Sequence, residues 1–272
     1  MTIQGRMTEP LPDLKLDLPP LLTGRPVVPP DTVQTAARRA LDGGGAEAGH
    51  LFWSCDPDQV GLALVLEPEV GPDRAQEMLF ALMVSCGDAI GSVGPPELAF
   101  TWTWPDRFRA NGASVGRAFL EISPDLDGDG APLWLIAGLD LRLRPYPEID
   151  PGDFPDRTSL WDEGAADLGA PQVIEAWSRH MLSWINRWEG DGFKPVHDAW
   201  LFRCNGFQKD VRLAGMPNQD GEQGRMLGLD ETGNCLLAPA QAQRAPATRV
   251  VLVRDALACG ANVVPIDDVK GD

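Results

Sequence analysis

From residue 72 to 91 the apolar positions Ala75, Met78, Leu79, Leu82, Met83, Cys86, Ala89 and Ile90 recur at three- and four-residue spacing. That stripe predicts a helix, with Pro72 in its first turn and Gly91 at its C-terminal stop. A second stripe of Ile174, Trp177, Met181, Trp184, Ile185 and Trp188 predicts a helix over 171–188, its tryptophans turned to a core. A short Ala/Arg helix is expected over 31–41, capped by Asp31 and ended by the Gly43-Gly44-Gly45 run.

Between these stripes the pattern is that of strands. Residues 51–53 and 61–67 read as a pair joined across the Cys55-Asp56-Pro57-Asp58 turn, and further strands are expected at 99–104, 116–122 and 133–143. Beyond about residue 205 helical periodicity disappears, and short strands are expected near 211–214, 225–229, 235–238, 249–253 and 263–264. Five short strands predict a small barrel, because closing a sheet removes its edges. The organisation expected is therefore a proline-rich lead-in over 1–30, an α+β domain over 31–204 and a small β-barrel domain over 205–272.

Composition narrows the possible partners. With 23 Lys+Arg against 40 Asp+Glu the net charge is −17, a field that repels nucleic acid and anionic membranes, and no local basic patch is evident in the sequence. Five cysteines, an odd number without CxxC spacing, point to a reducing cytoplasm rather than to disulfides or a metal site. No segment has the length and apolarity of a membrane helix, and no signal sequence is read at the N-terminus. No metal is expected, since His50, His180 and His197 lack ligand spacing, and Asp125, Asp127 and Asp129 read as a solvated turn rather than a calcium loop.

The chemistry-bearing stretch is 101–123, TWTWPDRFRANGASVGRAFLEIS. Its Trp104-Pro105 pair, the loop with Asn111-Gly112, the glycine region at Gly116 or Arg117, and Glu121 resemble the Lys-Trp-Pro-Asn-Asp and Lys-x-x-Gly-x-x-x-x-Glu strands of biotin protein ligases. Ala137-Gly138-Leu139-Asp140 resembles that family's Gly-Ile-Gly-Ile-Asn strand, and Arg157-Thr158-Ser159-Leu160 its Ala-Thr-Ser-Leu helix start. Residues 171–200 resemble its last helix and linker, and 223–230 the opening hairpin of its SH3-like C-terminal barrel. The resemblance implies a biotin/lipoate ligase-like fold: a mixed, largely antiparallel sheet with helices on one face, followed by a small SH3-like β-barrel. It also implies biotin or lipoate and ATP as ligands, and a biotinyl- or lipoyl-carrier domain as partner.

The departures from the family pattern all concern charge. Activating a carboxylate with ATP requires cations around a triphosphate, supplied in the family by a Gly-Arg-rich loop and by lysines of the two strands. Here no arginine lies between Arg39 and Arg74, the lysine before Trp104 is Thr103, the second lysine position is Ser114, and Asp106-Arg107 follows the proline. Two readings of Arg107, Arg109 and Arg117 stand: replacements for the lost lysines, or surface arginines balancing an acidic chain. Cys55 is a remote candidate nucleophile, with no histidine or lysine evidently poised beside it.

The resemblance places a ligand among Trp104, Pro105, Asp106, Arg107, Asn111, Ser114, Gly116, Arg117, Gly138 and Asp140. Without the arginine loop that pocket is expected to be open and weakly cationic, suited to a small carboxylate or an apolar-tailed acid rather than a nucleotide. The function expected is binding of a small carboxylic-acid cofactor or a carrier domain, with reduced or absent ATP-dependent ligation. The alternative is an active biotin or lipoate protein ligase or acyltransferase that modifies a lysine of an acceptor protein.

Overall fold

The computed structural model describes residues 15–146, 154, 156–217, 221–239 and 248–266, so residues 1–14 of the expected lead-in lie outside it. Seven strands form one sheet: β1 (Thr23–Val27), β2 (His50–Ser54), β3 (Gln59–Leu66), β4 (Phe100–Thr103), β5 (Arg107–Ala110), β6 (Ala113–Ile122) and β7 (Leu135–Arg142). Their order is β1-β2-β3-β7-β6-β5-β4. Only β1 runs parallel to its neighbour, pairing Thr23 with His50; the remaining neighbours are antiparallel. The mixed α+β architecture is the one expected, except that the proline-rich lead-in contributes β1. Proline is tolerated there because an edge strand has one row of donors that no neighbour needs.

The two predicted core helices pack on one face. The first is broken: α2 (Pro72–Ala75) is followed by α3 (Met78–Val93), which ends at Gly94 rather than at Gly91. Helix α3 is buried on nearly every side, because α4 (Ala170–Asp191) and α5 (Lys194–Arg203) cover what the sheet does not. Buried Glu77 accepts a 2.6 Å hydrogen bond from the Trp188 indole, a polar tie between α3 and α4 inside this core. Helix α1 (Val33–Asp42) lies on the opposite sheet face, where Val33 and Ala37 cover Phe52, Ala63, Val65, Phe119 and Ile136. Its cap is Thr32, whose hydroxyl accepts from the Thr35 amide; Asp31, the expected cap, instead pairs with Arg39.

The C-terminal segment forms a separate antiparallel sheet of five strands. These are β8 (Asp210–Ala214), β9 (Gln223–Leu229), β10 (Cys235–Pro239), β11 (Arg249–Val251) and β12 (Asn262–Pro265), in the order β11-β10-β9-β8-β12. Residues 253–259 form a helix, α6 (Val253–Cys259), where only strands and turns were expected; Gly260 ends it in the left-handed conformation. Trp104 joins the two sheets. Its indole donates to the Gly233 carbonyl at 3.0 Å, and its own carbonyl accepts from Val263 at 2.8 Å.

Candidate functional site

The strand between Trp104 and the Asn111-Gly112 turn was read as a loop, and it is the strand that builds the site. Asn111 and Gly112 both have positive φ, 47° and 95°, the backbone of a two-residue hairpin turn, and this fixes β5 against β6. The pairing runs Phe108 to Gly116 and Arg109 to Ser114, so Val115 is an extra residue, a bulge that shifts the following side chains of β6.

Register then aligns one row across four strands. Gly61 of β3 faces Asp140 of β7, Asp140 faces Arg117 of β6, and Arg117 faces Arg107 of β5. Two arginines directly opposite each other repel, a cost of the same order as the ~0.2–1 kcal/mol gained by opposite charges in that position. Gly116 permits the close approach of β6 to β7: a Cβ there would lie 2.0 Å from the Asp140 carbonyl oxygen.

Over this row opens a cavity of about 280 Å³. Arg107, Arg117, Arg142 and Arg157 line it, with Asp140, Ser114 and Gln59 among them. Arg142 is held in place, its Nε donating to the Arg144 carbonyl at 2.6 Å while its guanidinium stacks on Tyr146. Arg157 arrives on a loop stitched to β6 by hydrogen bonds from Ser114 N to Asp156 O and from Thr158 N to Ser114 O. Thr158 and Asn111 both donate to Glu163, which pins that loop to the hairpin turn. Arg117 is exposed, and among the described residues its side chain makes no hydrogen bond or close ion pair.

Burial pushes the Asp140 carboxyl above its ordinary range, with the Arg117 charge pulling it back. The same two influences act on Asp106, where Arg107 and Arg117 oppose the burial. Asp106 Oδ1 lies 3.3 Å from Arg107 Nε. Four arginines and Asp140 line the cavity, while Asp106 beside Arg107 and Asp58 near Arg142 offset part of its positive charge.

Of the residues singled out beforehand, Arg107, Ser114, Gly116, Arg117 and Asp140 line the cavity; the rest do not. Trp104 and Pro105 are buried in the junction with the C-terminal sheet, and Asp106 is buried behind Arg107. Asn111 caps the hairpin, its Oδ1 accepting from the Ala99 amide. Gly138 is covered by the Phe119 ring. Arg109 lies outside the lining. Gln59, Arg142, Tyr146 and Arg157 were missed as site residues. Arg142 had a signal, since it follows Asp140 by two along a strand and therefore shares its face.

Other candidates resolve simply. Burial raises the Cys55 thiol, the opposite of what a nucleophile needs. Asp127 Oδ1 accepts from the Asp129 and Ala131 amides, so that loop is organised by its own backbone. Among the described residues no cluster of His, Cys, Asp and Glu is placed to hold a metal, and no helix is long and apolar enough to cross a membrane.

Residues 18–202 match the family model described as the biotin/lipoate A/B protein ligase family. No curated protein matches the chain. Among solved structures, a biotin protein ligase-like protein of unknown function from Silicibacter sp. is 34% identical. That alignment covers 87% of this chain and 96% of that one, with a TM-score of 0.73. The biotin protein ligase from Aquifex aeolicus in complex with biotin and ATP is 16% identical, covering 90% and 98% of the two chains with a TM-score of 0.66, which shows a shared fold. Matched over most of its length by the family model and by the 34% identical structure, the chain belongs to the biotin/lipoate A/B protein ligase family.

Proposed function

We propose that this protein binds a small carboxylic acid in the four-arginine cavity, and that ATP-dependent ligation in the manner of a biotin protein ligase is reduced or absent. The observation that carries the reading is the convergence of Arg107, Arg117, Arg142 and Arg157 on one cavity of an otherwise strongly acidic chain. Arginine forks suit carboxylates, and among the described residues the side-chain donors of Arg117 are unspent.

Several features speak against a triphosphate. The β2–β3 connection is a tight turn in which the Asp58 amide bonds Asp56 Oδ1, so carboxylates stand where a phosphate cradle needs free amides and cations. Asp58 also lies 3.9 Å from Arg142 and partly neutralises it. Thr103 is buried, and both backbone groups of Ser114 are committed to the 156–158 loop. Neither position supplies a charge.

The second reading is an active ligase or acyltransferase that modifies a lysine of a biotinyl- or lipoyl-carrier domain. The same quartet favours it, because four relocated guanidiniums can stand in for lost lysines. In either case the ligase-like unit spans 31–204 together with β1, and the small β domain spans 205–272 in the place of the family's SH3-like barrel.

Pyrophosphate exchange into ATP in the presence of biotin or lipoate separates the two readings. We expect negligible exchange, and no recovery in Thr103→Lys or Ser114→Lys variants, since the loop stays short. Transfer of either acid to an acceptor domain at about 1 per second or more, an ordinary enzymatic rate, would overturn the proposal.

A further inference from the structure

The sheet face that carries the arginine row continues past it, and the next row is closed. Two residues along each strand, about 7 Å away at the usual rise per residue, stand Ala63 of β3, Gly138 of β7 and Phe119 of β6. Ala63 and Gly138 have little or no side chain, so alone they leave a trough in the sheet surface running on from Asp140. Phe119 fills that trough. A Cβ at Gly138 would lie 2.1 Å from Phe119 Cζ and 2.4 Å from the Leu62 carbonyl oxygen, so the ring lies directly on the glycine backbone. Phe119 is 7% exposed and packs into the cluster under α1 with Val33 and Ala37.

A ligand anchored in the arginine row therefore meets the cluster that contains this ring in one direction along the sheet. In the other it meets Gln59, Arg142 and Arg157, which are polar or charged. Among the described residues neither direction offers an apolar slot. The cations fall into two sets, Arg107 and Arg117 on the β5–β6 pair and Arg142 and Arg157 at the strand end and loop. Asp140, in the row of the first set, and Ser114, bridged to Arg157, line the same cavity as acceptors. Two cationic ends call for two anionic groups, and the acceptors call for a hydroxyl or ammonium donor.

Resting on the carboxylate reading above, we infer that the ligand is a compact acid with two or more anionic groups and a hydroxyl or amino donor, and that Phe119 excludes acids with long apolar tails such as biotin, lipoate and octanoate. The cavity of about 280 Å³ is at the small end for a ligand site, in keeping with such a molecule.

Calorimetric titration of wild-type protein and of the Phe119→Ala and Phe119→Leu variants with acetate, succinate, malate, citrate, octanoate and biotin tests this. Malate or citrate should bind the wild type at least about tenfold more tightly than acetate, octanoate or biotin, the difference expected for one further charged hydrogen bond. Phe119→Ala should tighten octanoate by about tenfold, the scale of the methylene groups it newly buries, with little change in malate. Phe119→Leu, which keeps an apolar side chain in the packing, should fall between and decides the matter if the alanine variant does not fold. Octanoate or biotin binding the wild type as tightly as malate, or an unchanged tail preference in both folded variants, overturns the inference while leaving the carboxylate reading intact. Failure of every acid to bind overturns both.

Discussion

Arg117→Ala isolates the group on which binding turns. The side chain is exposed and spends no hydrogen bond among the described residues, so its removal costs little packing. It also removes the like-charge opposition with Arg107, which returns ~0.2–1 kcal/mol to the sheet. The loss of its pull on the buried Asp106 and Asp140 carboxyls offsets that gain, so stability should change little. Binding should fall: a charge-assisted hydrogen bond contributes about 1.5–3 kcal/mol, a loss of roughly 10- to 150-fold in affinity. The cavity mouth is open to water, so the loss should shrink at high salt, as the screening length falls from about 10 Å at 0.1 M to about 3 Å at 1 M. Titration of malate into wild-type and variant protein at both salt concentrations measures it, with a thermal melt as the control for folding. A loss below about twofold at low salt, far short of one charged hydrogen bond, in a protein that melts normally, would show that Arg117 is a surface charge and refute the reasoning.

Three other perturbations probe the frame of the site. Trp104→Ala should destabilise by ~3–5 kcal/mol, since it empties a fully buried position and strands the Gly233 carbonyl; a loss under about 1 kcal/mol in a urea titration would show that the two sheets do not depend on it. Gly116→Ala forces β6 away from the Asp140 carbonyl at a cost of ~1–3 kcal/mol, and acid binding should fall with it, measured by the same melt and titration. Asp140→Asn should raise the melting temperature at pH 7. The wild-type carboxyl titrates above 3.8 in the folded state, so its contribution to stability is full below that value and declines as pH rises through the folded pKa. The advantage of Asn should close in melts below about pH 4, near the ordinary aspartate value, and an advantage that grew in acid would contradict the burial of this group.

The helices over 72–91 and 171–188 were legible because their stripes are long and periodic, and such patterns survive tertiary context. The break between α2 and α3 was not. Its residues remain apolar in rhythm, and Glu77 at the break is buried against Trp188, a contact no local pattern announces. Strand β5 was hidden by its charges: Arg107 and Arg109 alternate with Phe108 and Ala110, a half-buried strand read as a loop. The Asn111-Gly112 dipeptide was the available signal, and it marks a hairpin more strongly than the arginines mark a surface. At the site, four of the five cavity residues foreseen, Ser114, Gly116, Arg117 and Asp140, lie in the strands that carried the family resemblance, and Arg107 in the β5 stretch between them. Arg157 comes from a loop brought in by backbone bonds to Ser114, and spacing along the chain cannot express that contact.

The charge pattern ties the fold to the chemistry. At −17 the protein as a whole repels small anions, yet four arginines line its cavity together with Asp140. Over distances beyond about 10 Å at 0.1 M salt the overall charge is screened, and only groups at the cavity wall act on a ligand that has entered. An anion is thus held by local geometry and not by the field of the surface. Geometry here comes from strand register: Arg107, Arg117 and Asp140 share one row because β5, β6 and β7 pair as they do, and the Val115 bulge and the Gly116 backbone permit that pairing. A slip of one residue at β6 would turn Arg117 to the buried face beneath α3 and send Ala118 into the row. Burying an unpaired guanidinium costs several kcal/mol, so the hydrophobic core that selects the register also selects the arrangement of the site.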